Sequence, residues 1–217
     1  MPGSASSDLL DKRPLELIAR ALAAFAIVFW LSMRFGAGLI DALLPLYESY
    51  VQSIDNHYRI DLAVTRVGGH DKLGADLVVL GRAAVTRSFM VFGDTAKVMM
   101  MPGEVLQSST AIGMLMQPAV MLAGLLLAWP LRSMREAAVR GVLGIMLLAL
   151  WMLLGIPSWL WISMCDLPIR VVAPDELSVL TIANKMLLNG GAVVLGAVLA
   201  AVAIAGGRRL SWPPETA

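Results

Sequence analysis

The histidines and nearby carboxylates are the first candidates for metal binding or acid–base chemistry. The sequence has two histidines, His57 and His70, with Asp61 and Asp71 close to them. A histidine pair with a carboxylate can hold a zinc ion, but this spacing matches no ligand motif of structural or catalytic zinc sites. We therefore predict that this stretch holds no metal.

A run of three methionines, 99–101, offers a second kind of chemistry. Thioether sulfur is a soft ligand that suits copper(I). Methionine is also ordinary apolar filler, and this run lies where the chain approaches its next apolar segment. We expect no cofactor, and the sequence leaves open whether the run has a chemical role.

The single cysteine, Cys165, is the candidate nucleophile, with Asp166 and Arg170 following it. A catalytic cysteine needs a histidine placed beside it, and no histidine follows Cys165 in the sequence. A free, half-buried thiol is the simpler interpretation. The chain also lacks a phosphate-binding loop, a GxSxG elbow, an HExxH pair and a dinucleotide fingerprint. We predict that the protein is not an enzyme.

The histidines, the methionine run and Cys165 lie between or within long apolar segments. The chain has 217 residues, of which 58% are hydrophobic, against about 45–50% in soluble domains. The excess is concentrated in four runs of about 20 residues, the length that crosses ~30 Å of hydrocarbon. This pattern predicts an integral membrane, α-helical fold with four transmembrane helices. The net charge of +1 gives no indication of nucleic-acid binding.

A β subdomain is predicted between the first and second spans. In the stretch 57–65 the side chains alternate between apolar and polar, which is the period of a half-buried strand. Turn-forming residues follow at 68–74, and further β-rich pieces reach residue 92. We expect a small antiparallel sheet whose thin core rests on the membrane, on the first helix or on a partner.

The predicted segments follow one another in a simple order. They are a cytoplasmic tail (1–13), transmembrane helix 1 with an extension (14–50), an extracytoplasmic β subdomain (51–104), transmembrane helix 2 (108–130), a basic cytoplasmic loop (131–140), transmembrane helix 3 (141–163), an outer loop (164–180), transmembrane helix 4 (181–206) and a cytoplasmic tail (207–217).

Basic residues set the predicted orientation. Lysine and arginine collect before span 1, between spans 2 and 3, and after span 4. With four spans all three clusters fall on one side, which the positive-inside rule assigns to the cytoplasm. We therefore predict a multi-pass protein of the bacterial inner membrane with both termini cytoplasmic.

Span 4 carries a face of small residues. Ala192, Gly196 and Ala200 recur every four residues. Close backbone approach is a main source of helix association in lipid. The face therefore predicts tight packing, either inside the monomer or against another membrane protein.

Polar residues near the predicted outer membrane surface form a candidate cluster. They are Arg34, Asp41, Asn184, Lys185 and Asn189. Polar groups inside a membrane can mark a transport path. They can also join helices by hydrogen bonds, or reach the interface with their charged ends.

The chain resembles a family of small membrane proteins. The stretch from Pro118 to Pro157 is similar to the apolar hairpin and Arg-rich turn of exosortase-associated membrane proteins, and YRIDLAVTRV resembles the strand that precedes it there. The similarity covers about residues 15–162. It implies an accessory role beside a protein-sorting enzyme and implies no catalytic residues.

These observations predict a non-catalytic accessory or assembly subunit of a cell-envelope membrane complex, for protein sorting, secretion or conjugation. Its partners would be the lipid bilayer and another membrane protein, bound through span 4 or the outer β subdomain. The alternative is a small transporter or channel component that uses the polar cluster near the outer membrane face.

Overall fold

A computed structural model describes residues 5–67, 76–92, 97–172 and 178–211. Within this part of the chain, helix α1 (Ala5–Ile54) precedes five strands, and five shorter helices follow. The strands are β1 (Tyr58–Val67), β2 (Asp76–Val85), β3 (Phe89–Phe92), β4 (Lys97–Met100) and β5 (Val105–Ala111). The helices are α2 (Ile112–Ala128), α3 (Met134–Leu150), α4 (Ile156–Val172), α5 (Val179–Met186) and α6 (Ala192–Ser211).

Three helical stretches are long and apolar enough to cross a membrane, namely Leu15–Ile54, Met134–Pro168 and Val179–Ser211. The second combines α3, a π-helical turn at Trp151–Gly155 and α4, and the third combines α5 and α6. Stretches of this kind are typical of a membrane protein. The prediction of four such helices is corrected to three in the part of the chain that the structure describes.

The helix found in the predicted second span is shorter than the other three apolar stretches. It was expected over 108–130, but residues 108–111 belong to β5, and α2 has 17 residues. At 1.5 Å per residue α2 is about 26 Å long, a little less than the hydrocarbon core. Pro118 disturbs the helical bonding of the preceding turn, where the indole Nε1 of Trp151 donates to the carbonyl of Leu115 at 3.0 Å.

Helix α1 is longer than predicted and covers the edge of the sheet. It runs unbroken for 50 residues, where the sequence predicted 14–50. Near its end, Gln52 Nε2 donates to the carbonyl of Tyr58 at 2.7 Å, and Glu48 Oε1 accepts from the backbone N–H of Leu62 at 2.7 Å. These side chains satisfy backbone groups of β1 that would otherwise form an open sheet edge.

The predicted small antiparallel sheet is confirmed. Strands β1, β2 and β5 form one sheet in the order β1-β2-β5, and β3 pairs with β4 in a separate hairpin. In β1, Tyr58 and Leu62 are buried while Arg59 and Asp61 are exposed, as the alternation predicted. Strand β5 lies beyond the predicted boundary at residue 104. Its residues pair with β2 from Val78↔Ala111 to Ala84↔Val105.

One face of the three-stranded sheet packs against α4. Leu62 and Val79 from the sheet and Leu160 and Met164 from α4 are buried and line the same small cavity. The hydroxyl groups of Tyr50 in α1 and Ser158 in α4 lie 3.1 Å apart. The face of the sheet therefore rests on α4, which was not among the three predicted supports. The first helix, which was, covers the β1 edge.

The chain divides into two compact units. The first unit contains residues 1–33, 117–149 and 193–217, and the second contains 34–116 and 150–192. Helices α1 and α2 each have residues in both units, and so do the two longer stretches formed by α3 with α4 and by α5 with α6.

The segment predicted as an outer loop, 164–180, is largely helical. Helix α4 continues to Val172 and α5 begins at Val179, where Ser178 accepts a bond from the N–H of Thr181. Three predicted features lie wholly or partly outside the described residues: the turn at 68–74 with His70 and Asp71, the middle of the outer loop, and the outermost ends of both tails.

Candidate functional site

The predicted polar cluster is not assembled as a unit. Arg34, Asp41, Lys185 and Asn189 are exposed, and no hydrogen bond or ion pair joins any of them to another in the part of the chain that the structure describes. Only Asn184 is buried, at 6% exposure. Its neighbours are residues that the sequence argument did not group with it.

Asn184 belongs to a buried hydrogen-bond network between α4 and α5. Its Nδ2 donates to Oδ2 of Asp166 at 3.1 Å, and Thr181 Oγ1 donates to Oδ1 of the same carboxylate at 2.5 Å. Ser163 Oγ and Trp159 Nε1 each lie 3.4 Å from Asn184 Oδ1. Asp166 is 1% exposed. Both helices therefore contribute polar side chains to one carboxylate.

A cleft of about 530 Å³ lies beside this network. Strand β5 supplies its polar wall with Gln107, Ser108, Ser109 and Thr110, and Ser163, Asp166 and Asn184 border it from the helices. A volume of this size suits a small ligand. The carboxylate already accepts hydrogen bonds from α5, so the arrangement serves to join helices and orient the cleft wall.

The structure offers no metal centre in its described residues, where no group of three or more histidine, cysteine, aspartate or glutamate side chains could hold an ion. His57 Nδ1 lies 2.8 Å from Asp55 Oδ1, and its ring is tilted by 54° against the ring of Phe89, with 5.4 Å between the centroids. His70 lies outside the described residues. Cys165 is a free, partly buried thiol, and no hydrogen bond joins it to His57. The described residues thus show no cysteine–histidine pair of the kind a catalytic thiol needs.

A helix break follows the Asn184 network. Asn189 and Gly190 depart from helical geometry, and Gly190 has φ 101°. This left-handed conformation favours glycine. Asn189 and Gly190 therefore interrupt the long apolar stretch between α5, which ends at Met186, and α6, which begins at Ala192.

The small-residue face of span 4 is used inside the chain. Ala192 in the second unit and Ala200 in the first are fully buried. A Cβ atom added to Gly196 would lie 2.6 Å from the carbonyl oxygen of Pro118 and 2.7 Å from Cβ of Met121. The absence of a side chain at Gly196 therefore permits close packing of α6 on α2, as small residues do in membrane helices.

A second buried polar cluster lies in the first unit at the turn between α2 and α3. Arg140 pairs with Glu136, and its Nη1 donates to the carbonyl of Trp129 at 3.0 Å. Glu136 Oε2 accepts from the N–H of Arg132 at 3.0 Å, and Ser133 Oγ accepts from the N–H of Glu136 at 3.1 Å. The Ser-x-x-Glu spacing is a helix-start signal that was readable in the sequence.

An exposed apolar surface lies on the β3–β4 hairpin. Met90 pairs with Met99 across the hairpin, and these two residues and Met101 are each about half exposed. We call these three residues the methionine patch. The opposite face packs inward: Met100 is buried, and Phe89 makes an edge contact with Tyr58 at 5.2 Å between ring centroids. Burial raises the pKa of the Tyr58 phenol well above its usual value.

No family model, curated protein or solved structure matches this chain. The resemblance to exosortase-associated proteins therefore stays a prediction.

Sequence reasoning missed the Asp166 network and the methionine patch as a surface. An aspartate near the end of a long apolar stretch is itself a signal for a functional or helix-joining group. Its partners Thr181 and Asn184 lie 15 and 18 residues away, on a different helix, so no local spacing rule would have connected them.

Proposed function

We propose that this chain is a non-catalytic accessory or assembly subunit of a cell-envelope membrane complex, acting in protein sorting, secretion or conjugation. The methionine patch carries the proposal. It lies on and directly after strands β3 and β4, outside the apolar helices, and each of its three methionine side chains is about half exposed. Exposed apolar surfaces mark interaction sites, and flexible methionine side chains suit a binding surface that adapts to its partner.

The chemistry of the buried groups agrees with this role. Asp166 of α4 bonds to Thr181 and Asn184 of α5, whereas Glu136 bonds to Arg140 within α3, so both buried carboxylates have partners inside the chain. Hydrogen-bond networks of this kind contribute to helix association in membranes. The resemblance noted in the sequence supports protein sorting as the first pathway to examine.

Three helical stretches are long enough to cross a membrane. We propose that the shorter α2 makes a further crossing, so that both termini lie in the cytoplasm of a bacterial inner membrane. Helix α2, at 17 residues, lies at the lower limit for a spanning helix. If α2 did not cross, the basic residues near the start of α1 and those in the last turn of α6 would fall on opposite sides, against the positive-inside rule.

Site-specific photo-crosslinking in native membranes tests the accessory role. A photoreactive residue is placed at Met99, and a matched control is placed at Asp61, which is also exposed on a strand. We expect one adduct of discrete mass from position 99, identified by mass spectrometry, and none from position 61. The Met90→Asp/Met99→Asp variant should remain folded but lose stoichiometric co-purification of the same protein.

Two results would count against this role. Equal adducts from positions 99 and 61 would mean that the methionine patch has no specific partner. A pure homo-oligomer that yields no adduct would remove the accessory subunit as the working model.

A small transporter or channel component is the second candidate. The helix break at Asn189 and Gly190 favours it, because interrupted membrane helices often border transport sites. Leu188 from the same turn lines the cleft beside Asp166 and Asn184. A flux assay in proteoliposomes tests this role: Asn184→Ala should reduce flux strongly, whereas Lys185→Ala, at the exposed neighbouring position, should not.

A further inference from the structure

An apolar groove with a basic end lies in the first unit between α2 and α6. It has a volume of about 450 Å³. Leu125 and Trp129 form its α2 wall. Helix α6 supplies four alanines, Ile204 and, in its last turn, Arg208 and Arg209. The alanines leave the space open because their side chains are short, while the close approach at Gly196 fixes the distance between the helices one turn earlier.

Among the described residues, the charges at the basic end are not balanced. Glu136 is the one described acid that pairs with Arg208, whose Nε lies 3.7 Å from Glu136 Oε1, but Glu136 is already paired with the buried Arg140. The guanidinium of Arg208 also lies 5.7 Å from the centre of the Trp129 ring. Arg209 is exposed and makes no ion pair with any described residue. The end of the groove therefore carries surplus positive charge.

The combination of an apolar channel and unbalanced arginines points to one class of ligand. Helix α6 belongs to one of the stretches long enough to cross a membrane, so the groove opens on a surface that faces lipid in the proposed topology. We propose that the groove binds an anionic phospholipid, with an acyl chain along the alanines and the phosphate on Arg208 and Arg209. Arginine suits phosphate because its planar guanidinium donates two parallel hydrogen bonds.

This site does not depend on the accessory role, and it has a different location from the methionine patch. Basic pockets between membrane helices at the cytoplasmic side are known to select anionic headgroups. A bound lipid would fill the space between α2 and α6 and neutralise the basic end. It would thus fix the position of the α6 terminus without any protein partner.

Native mass spectrometry of the full-length protein, delipidated in mild detergent, tests the proposal. The probes are phosphatidylglycerol and phosphatidylcholine with identical chains. We expect one phosphatidylglycerol per chain, bound at least about tenfold more tightly than phosphatidylcholine. The R208Q/R209Q variant should bind phosphatidylglycerol roughly 25-fold more weakly, since each arginine near a lipid surface contributes about fivefold.

Two further variants distinguish lipid binding in the groove from lipid attraction to general surface charge. R132Q/R135Q removes two exposed charges from the same unit but leaves the groove lining unchanged, so we expect little loss of binding. A201W fills the groove at an exposed position without changing the charge, and it should reduce binding at least about as much as R208Q/R209Q does. Circular dichroism and thermal melting confirm folding, and A201W remains informative if R208Q/R209Q is unstable.

Three results would overturn the proposal. Equal affinity for the two lipids would mean that the phosphate charge is not recognised. Equal losses in R208Q/R209Q and R132Q/R135Q would assign binding to general surface charge. Wild-type binding by A201W would show that no acyl chain occupies the groove.

Discussion

Glu136 in the first unit and Asp166 in the second are equally buried, at 1% exposure each, but they have different neighbours. Glu136 pairs with the guanidinium of Arg140 and accepts a hydrogen bond from the backbone N–H of Arg132 in the preceding turn. Asp166 accepts hydrogen bonds from a hydroxyl and an amide on another helix. The first carboxylate closes a local turn, and the second joins two consecutive helices, α4 and α5.

The two carboxylates use two kinds of polar contact: an ion pair at Glu136 and hydrogen bonds from neutral side chains at Asp166. A buried ion pair gives a rigid local structure, but removal of one partner leaves an uncompensated charge. Hydrogen bonds to hydroxyl and amide groups are weaker individually and in membrane proteins contribute about 0.6 kcal/mol on average. We therefore expect the two regions to respond differently to substitution.

The largest effect should come from Arg140→Met. Glu136 would lose its guanidinium partner, and the carbonyl of Trp129 would lose a donor. We expect the apparent melting temperature in detergent to fall by about 10 °C. The double variant Glu136→Leu/Arg140→Met should recover much of this loss, because no buried charge then remains. If Arg140→Met were as stable as the wild type, the expected difference between the Glu136 and Asp166 regions would be contradicted.

Close packing in the first unit is tested by Gly196→Ala. The new Cβ would meet Pro118 and Met121, and overpacking of this kind costs about 1–3 kcal/mol. Gly141→Ala is the matched control in the same unit, since an added Cβ there meets nothing within 4 Å. Alanine should stabilise that helix by up to about 1 kcal/mol. Thermal melting of both variants should give opposite signs, and equal shifts would contradict the proposed α2–α6 packing.

The Asp166 network should give a smaller effect. Thr181→Val removes one donor while preserving shape, and we expect a loss of about 1 kcal/mol. A double-mutant cycle with Asp166→Asn measures the coupling between these two side chains by denaturant unfolding in micelles. Additive losses would mean that the hydrogen bond between Thr181 and Asp166 contributes nothing to stability.

The smallest effect concerns Tyr58, at the junction of the sheet and the β3–β4 hairpin. Burial favours the neutral phenol, so its pKa in the folded protein lies above that of the unfolded chain, about 10. The contribution of this pKa difference to the free energy of unfolding is fully present below about pH 10. It is lost as the pH rises through the folded-state pKa. Ultraviolet titration should show a late-ionising tyrosine that disappears in Tyr58→Phe. Ionisation of Tyr58 at its ordinary pH would contradict its burial.

The sequence predicted the helical membrane class, the small antiparallel sheet and the alternation in β1, because these follow from local apolar periodicity. It placed the start of the second predicted span too early, since the stretch 105–111 borders an apolar run, and only its pairing with β2 identifies it as a strand. The interruption at Asn189 and Gly190 depends on one left-handed residue, which apolar periodicity does not reveal.

The candidate sites were less predictable than the fold. The sequence grouped Arg34 and Asp41 with Asn184, but the two charged residues are exposed on α1. The partners of Asn184 come from α4. The sequence predicted that the part of this helix after residue 163 is a loop. The spacing predicted Gly196 as a packing residue. An added Cβ there would meet Pro118 and Met121 of α2, a helix that the spacing does not identify.

The most direct test of the proposed topology is to find on which side of the membrane strand β1 and the turn before α3 lie. In a Cys165→Ser background, single cysteines are introduced at Asp61 in β1 and at Ser133 before α3. A membrane-impermeant maleimide is then applied to intact spheroplasts and to lysed membranes. The proposed topology predicts labelling of position 61 in intact cells and of position 133 only after lysis. Labelling of both positions in intact cells would show that α2 does not cross, and would contradict the four-crossing account.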